Sequence, residues 1–430
     1  MTSPRKRVVS GMRPTGPLHI GHYFGALANW VKMQDEYKCF YFVADWHALT
    51  SDYALSSLIY RNSLEIAIDW LAVGLDPNKS TFFLQSLVPE HAELFLLLSM
   101  ITPLGWLERV PTYKEQMDNV EGKDLRTYGF LGYPVLQSAD IVIYQADLVP
   151  VGEDQVAHVE LTREIVRKFN FHYGLSISRD ILNDPDRSLK NLLTSIVGKS
   201  LSLTITRPDD RDLMKLQSEI KQHMNKVIAE VGPENFIESL GVARKYIEVK
   251  KILSEPRHLL TETPRIPGTD GRKMSKSYGN AIMLGEDNES IRSKVRGMKT
   301  DPARIHRDDK GNPDVCPVFA WHKLFSPQFT INRVNNECRT AEIGCVDCKR
   351  LMADSLIAWI EPIRSRRLDY QAHPERVREI LGDGSAKARQ IARQTMMKVR
   401  EAIFGEDSFS HPRKKRRLKP KLLNPSGAGN

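Results

Sequence analysis

The sequence predicts an α/β protein in which a parallel-sheet domain is interrupted by a mostly helical segment and followed by a helical C-terminal region. Three observations lead there. Strand-like and helix-like patterns alternate along the first 170 residues. That is the rhythm of βαβ units, and so of a Rossmann-type parallel sheet with its ligand at the carboxyl ends of the strands. A glycine-flanked loop rich in Lys and Ser appears only at Lys273, so the sheet domain resumes after an insertion. From about residue 298 to 405 the period is helical, with many Arg and Lys.

In chain order, residues 7–10, 39–44 and 81–84 read as strands, with helices at 23–36 and 55–73 between them. The predicted divisions are 1–174 and 257–297 for the two parts of the sheet domain, 175–256 for the insertion, 298–405 for the helical unit and 406–430 for a basic disordered tail. Within the insertion, 201–206 reads as a strand. A helix follows with apolar Leu213, Leu216, Ile220, Met224, Val227 and Val231. Gly232-Pro233 breaks it, and a second helix is expected at 235–253. Gly198-Lys199-Ser200 would suit a phosphate-binding loop, but position 193 is Leu where that motif needs Gly.

The chain has 430 residues, enough for two or three cores, with 41% hydrophobic and 27% charged residues. Its net charge of +9 is compatible with a polyanionic partner, although part of the excess sits in Arg413-Lys414-Lys415-Arg416-Arg417. No apolar run reaches membrane-spanning length, and no secretory signal is expected from the polar, basic start. Five cysteines are too few for a disulfide scaffold in a chain this long, so a reducing cytoplasm is expected.

Two short segments carry the chemistry. Pro17-Leu18-His19-Ile20-Gly21-His22 places two imidazoles around a glycine at a strand-to-helix turn. Gly21 allows close approach of a nucleotide, and the histidines can meet phosphate oxygens. Lys273-Met274-Ser275-Lys276-Ser277 places two cations and two hydroxyls on one loop, a composition suited to clamping a polyphosphate. A third segment, Tyr133 to Ile141, holds Asp140 among apolar neighbours, so Asp140 is either a paired core residue or a ligand reader. Gly152-Glu153-Asp154-Gln155 then combines close backbone approach with carboxylates at the start of a helix expected at 158–169.

The first two segments, in this order, resemble the signature pair of class I aminoacyl-tRNA synthetases. With Ser10 to Gly16, Ala44-Asp45-Trp46-His47, Tyr133 to Asp140 and Val149 to Gln155, the chain is similar to the bacterial tryptophanyl enzymes of class Ic over residues 5–172 and 257–405. The resemblance implies activation of L-tryptophan with ATP and Mg²⁺, transfer to tRNA(Trp), a helical anticodon-binding domain and a homodimer. It implies that His19 and His22 serve the α-phosphate and that Lys273 and Lys276 serve the β- and γ-phosphates. Lys114 is a further candidate cation, with Ser275 and Ser277 adding hydroxyls. It implies an ATP site of Arg13, Pro14, Thr15, Gly21, His22, Gly152, Glu153, Asp154, Ile266 and the Lys273–Ser277 loop with Met274. Asp140 would accept the indole N–H, Tyr133 and Gln155 would hold the amino and carboxylate groups, and Gln137, Val9, Val149 and Val151 would complete the pocket. The chain departs from the better-known relatives at Arg13, where they have Gln, and at Gln137, where they often have Met. Gln137 with Asp140 is similar to the sister tyrosyl enzymes, but those read a phenol with a tyrosine on the first strand. Val9 stands there and cannot hydrogen-bond a hydroxyl, which favours tryptophan over tyrosine.

Cys316, Cys338, Cys345 and Cys348 follow the pattern C-x21-C-x6-C-x2-C. Four thiolates can hold Zn²⁺ or a [4Fe–4S] cluster. Some relatives carry such a cluster at nearly this spacing, so the resemblance favours iron–sulfur, bracing a tRNA-contacting loop near Arg339, Lys349 and Arg350. Cys39 reads as a packed core residue. Two other classes compete: a non-charging paralogue that binds RNA or senses tryptophan, and a general nucleotidyltransferase. Both histidines and both signature lysines are present, which a non-catalytic protein does not need. A nucleotidyltransferase has no use for the basic helical C-terminal region.

Overall fold

The computed structural model describes residues 5–110, 126–178, 232–261 and 266–405, and a few positions between 180 and 230. Lys114, the strand expected at 201–206, most of the helix after it, Gly198-Lys199-Ser200 and the basic tail lie outside the described residues.

Strands β1 (Arg7–Met12), β2 (Lys38–Val43), β3 (Ser80–Leu84), β4 (Leu148–Val151) and β7 (Arg257–Leu260) form one parallel sheet in the order 3-2-1-4-7. The chain runs outward from β1 through β2 to β3, then returns to β4 on the other side of β1. The order therefore reverses between β1 and β4, which opens a crevice beyond their carboxyl ends. Side chains alternate between the sheet's two cores: Val8, Cys39, Tyr41, Val43 and Phe82 face one, and Val9, Phe40, Phe42 and Phe83 face the other. Burial on both faces explains why β2 reads as a continuous apolar run.

The first helix starts at Ile20, three residues before the sequence suggests. It runs Ile20–His22, passes through a π-helical turn at Tyr23–Leu27 and continues as Ala28–Glu36. The expected second helix of the insertion is shorter than predicted. Pro233–Ser239 is helical, Gly241–Tyr246 is a 3-10 turn, and Ile247–Val249 is strand β6, paired antiparallel with β5 (Leu175–Ile177). Gly241 has φ +50°, a left-handed backbone that ends the helix.

C-terminal helices Pro317–Phe325, Gln328–Arg339, Cys345–Ala372 and Pro374–Phe404 follow. The last lies against β3, the edge strand. The buried positions Val377, Leu381, Gly384, Ser385, Ala388, Ala392, Thr395, Met396 and Val399 recur at helical spacing, with small residues in the middle. Gly384 is required there, since a Cβ at this position would sit 1.8 Å from the Phe82 carbonyl oxygen. Ser385 Oγ accepts the Leu84 N–H at 3.3 Å. The helix thus covers a sheet edge that would otherwise expose unpaired backbone groups. No described helix is long and apolar enough to cross a membrane.

Candidate active site

A cavity of about 420 Å³ lies beyond the carboxyl ends of β1 and β4. Its walls include Val9, Tyr133, Gln137, Asp140, Val149, Val151 and Gln155, every residue that the sequence suggested for the amino acid. They come from β1, from the helix Tyr128–Val142, from β4 and from the turn that follows it. The π-helical turn presents Gly25 and Ala26 to the same space. Arg13 and Gly152 also line it, and Arg13 donates to Ser51 Oγ at 2.5 Å. Glu153 and Asp154 are exposed beside it, and Gln155 Nε2 donates to Asp154 Oδ2 at 3.0 Å.

Asp140 is fully buried at the base of this cavity and is both things the sequence allowed, a paired residue and a pocket wall. His47 Nε2 lies 2.7 Å from Oδ2 and His91 Nδ1 lies 2.6 Å from Oδ1. Gln85 Nε2 donates to both oxygens at 2.8 and 2.9 Å. Burial pushes the carboxyl pKa up, but the hydrogen bonds from His47 and His91 outweigh it and hold the group at about 2. Sequence reasoning missed His91 and Gln85 and gave His47 no role. Ala44-Asp45-Trp46-His47 was a visible segment, but nothing in it names Asp140 as the partner 93 positions away.

The signature segments meet each other, although neither lines the cavity. Backbone bonds tie the histidine turn to residues 282–284: the Ile20 N–H donates to the Ile282 carbonyl at 3.0 Å, and the Leu284 N–H to Leu18 at 2.9 Å. The His19 and His22 rings are 3.7 Å apart between centroids. His22 Nδ1 accepts the His19 N–H at 3.2 Å, which leaves the His22 proton on Nε2. Among the described residues His19 Nδ1 is buried with no hydrogen-bond partner. Burial, with the Lys276 charge, lowers His19 to about 4; burial, His19 and Lys276 lower His22 to about 3. At neutral pH both are therefore uncharged N–H donors. Lys276 Nζ reaches over the turn and donates to the Thr15 carbonyl at 2.9 Å.

Other candidates sit differently. Met274 and Ile266 are buried in one core with Leu18 and Ile20, where they anchor the loop and line its base. A side chain at position 21 would meet the His19 ring and, at 3.4 Å, Met274 Sδ, so Gly21 lets the loop pack on the turn. Pro14 is buried and Thr15 exposed beside Lys276. Ser275 and Ser277 share a hydrogen bond at 2.8 Å. Lys273 is exposed, and its carbonyl accepts from Asn280 Nδ2 at 3.1 Å.

The four C-terminal cysteines converge. Cys316 caps one helix, Cys338 ends another, and Cys345 and Cys348 occupy the first turn of a third. They are free thiols, close enough that the charges of Cys316, Cys338 and Cys345 add to burial in pushing Cys348 to about 12. Buried Arg304 points Nη1 at Cys338 Sγ, 3.7 Å away. Gly344 is the N-cap of the third helix, with an extended backbone at φ −77°. Among the described residues no three His, Cys, Asp or Glu side chains are arranged as metal ligands, so the expected iron–sulfur centre has no preformed ligand cage. Arg339 pairs with Asp314, Arg350 with Asp347, and Lys349 Nζ donates to the Arg296 carbonyl.

The family described as "tRNA synthetases class I (W and Y)" matches residues 2–207 and 233–361. The chain is 48% identical over 407 residues to the tryptophan–tRNA ligase of Ralstonia nicotianae, covering 93% of this chain and 98% of that one. It is 41% identical over 399 residues to the ligase of that name from Thermotoga maritima, covering 92% and 98%. The tryptophanyl-tRNA synthetase of Campylobacter jejuni, solved with ADP and tryptophan, superposes with a TM-score of 0.69 at 29% identity, covering 92% and 99%. The chain belongs to the class I tRNA synthetases of the W and Y family.

Proposed function

We propose that this protein is a tryptophan–tRNA ligase that joins L-tryptophan to ATP, releasing pyrophosphate, and transfers the tryptophanyl group to tRNA(Trp). The observation that carries this reading is the cavity at the switch point of the sheet. It has an ionised carboxylate at its base and apolar valines on its walls, and Arg13 on its wall leads within two residues to Thr15, whose carbonyl holds Lys276 of the second signature segment. Asp140 is the acceptor for the indole N–H, and Tyr133 and Gln155 hold the amino and carboxylate groups. The bound carboxylate attacks the α-phosphorus while the bond to pyrophosphate breaks. Negative charge grows on the phosphoryl oxygens, so catalysis here is positioning plus donors aimed at that charge. Neutral His19 and His22 supply N–H donors, and Lys276 and Lys273 supply positive charge to the leaving polyphosphate. Mg²⁺ is held mainly by phosphate oxygens and water.

Tyrosine is disfavoured by Val9, which faces the cavity without a polar atom for a phenol. The relatives reported above carry the tryptophan name, which supports the same choice. Exchange of labelled pyrophosphate into ATP tests it: tryptophan supports exchange and tyrosine does not. Exchange with tyrosine alone would overturn the assignment.

Cys316, Cys338, Cys345 and Cys348 are assigned as ligands of a [4Fe–4S] cluster, in preference to Zn²⁺. Support for the reading is that the four thiols come from three neighbouring helix ends, near enough to act on one another, and that Arg304 beside Cys338 suits an anionic sulfur centre. Such a cluster supplies structural bracing for the C-terminal helices. Anaerobically purified protein then contains iron and sulfide and absorbs visible light. Cys345→Ser loses both and weakens tRNA charging far more than tryptophan activation. A homodimer in the cytoplasm completes the assignment, with sedimentation as its test.

A further inference from the structure

Asp140 is held by more than the cavity needs. Its partners form a chain in which each proton is fixed by the next group. Gln85 Oε1 accepts the Trp46 backbone N–H at 3.2 Å, so its amide cannot flip and Nε2 must face Asp140. Tyr144 Oη lies 2.6 Å from His91 Nε2. Tyr144 is completely buried, and burial together with the charges of Asp140 and Glu90 keeps its phenol protonated. The ionised Asp140 can only accept, so His91 Nδ1 carries the proton aimed at Oδ1, and in the neutral ring Nε2 is then the acceptor for the Tyr144 phenol. Gln85, His91 and Tyr144 do not line the cavity. The three come from the turn after β3, from the helix Glu90–Ser99 and from just beyond the helix Tyr128–Val142.

We propose that Tyr144, His91 and Gln85 are positioning residues that hold Asp140 in one orientation as a pure acceptor, so that the pocket selects a side chain with an N–H donor and rejects an isosteric one without it. The inference rests on the reading of Asp140 as the indole acceptor. The physical reason is the asymmetry of buried hydrogen bonds. A fixed, desolvated acceptor left unpaired costs far more than a missing contact, whereas a loosely held acceptor can turn to another partner. If Tyr144 loses its hydroxyl, His91 is free to carry its proton on Nε2 and to turn Nδ1 into an acceptor that repels Asp140. The carboxylate then rotates, and discrimination falls before binding of the aromatic ring does.

The experiment compares tryptophan with 3-benzothienylalanine, in which sulfur replaces the indole N–H, in pyrophosphate exchange by the full chain. The readout is the ratio of their kcat/KM values, with KM for ATP measured alongside. Tyr144→Phe and His91→Asn are expected to lower that ratio by about 10-fold, while KM for ATP stays within about 2-fold of the parent. Gln85→Met is a third variant that acts without touching His91 or Tyr144. An unchanged ratio in folded Tyr144→Phe and Gln85→Met overturns the proposal, since the network would then be packing alone. Asp140→Asn separates the two readings. If it also leaves the ratio unchanged, Asp140 does not read the N–H. If it collapses the ratio while the other variants keep it, only the positioning role falls.

Discussion

Removal of the Arg367 guanidinium should damage both stability and ATP use, through one buried carboxylate. Asp69 is fully buried and accepts the Leu18 N–H at 2.7 Å, immediately before His19. Arg367, on the helix Cys345–Ala372, donates Nε to Asp69 at 2.7 Å and pairs with Glu65 through Nη2. Burial already pushes Asp69 up, against the opposing pull of Arg367 and Leu18. Arg367→Met therefore strands a buried charge, a loss of about 3–5 kcal/mol at pH 7. That is a fall of roughly 6–20 °C in Tm for a domain of ordinary size. The sign with pH follows from the raised pKa. The folded state holds the Asp69 proton more tightly than the unfolded chain, so acidification below the folded pKa returns stability, and does so from a higher pH in the variant. Asp69→Asn combined with Arg367→Met leaves a neutral amide that still accepts the Leu18 N–H, and should recover much of the loss. The assays are calorimetric melting against pH and KM for ATP in pyrophosphate exchange, which rises in Arg367→Met as the histidine turn loosens. A single variant within about 0.5 kcal/mol of the parent, or losses that simply add in the double variant, would refute the argument.

Gly384→Ala forces the last helix away from Phe82, with an expected loss of about 1–3 kcal/mol measured by denaturant melting. His19 and His22 are held neutral by burial, so between pH 6.5 and about 3 the unfolded chain binds more protons than the folded one. Their contribution to stability therefore declines as pH falls through that window, and a His19→Gln, His22→Gln variant should show a shallower acid decline in melting experiments. Because neither titrates near neutrality, kcat/KM for ATP should show no inflection near pH 6.5 that these substitutions remove. Lys276→Ala should lower kcat for exchange by about 100-fold while leaving tryptophan binding, followed by equilibrium dialysis, within about 2-fold.

The chain's linear order was enough to reveal three of the sheet's five strands and both signature segments, while β4 and β7 were not expected as strands. The period-2 and period-3.6 patterns report burial directly, and β1, β2 and β3 fall within two residues of where those patterns place them. The seven pocket residues came from the family resemblance, whose matching segments fall on β1, on the helix Tyr128–Val142, on β4 and in the turn after it. The start of the first helix and its π-helical turn were not legible, because the bonds to residues 282–284 set that entry, and they join segments more than 260 positions apart. The insertion was misread past Gly241 because apolar residues at 247 and 249 fit a helix as well as a strand until their partners at 175 and 177 are known. The sequence by itself determined the fold class, the order of the strands' signals and which residue types could handle an aromatic amino acid and a polyphosphate. Only the tertiary structure decided the charge of the histidines, the partners of Asp140 and the packing of the last helix over the sheet edge. Protonation and hydrogen-bond direction depend on burial and on neighbours brought together across the chain, and a linear pattern carries neither.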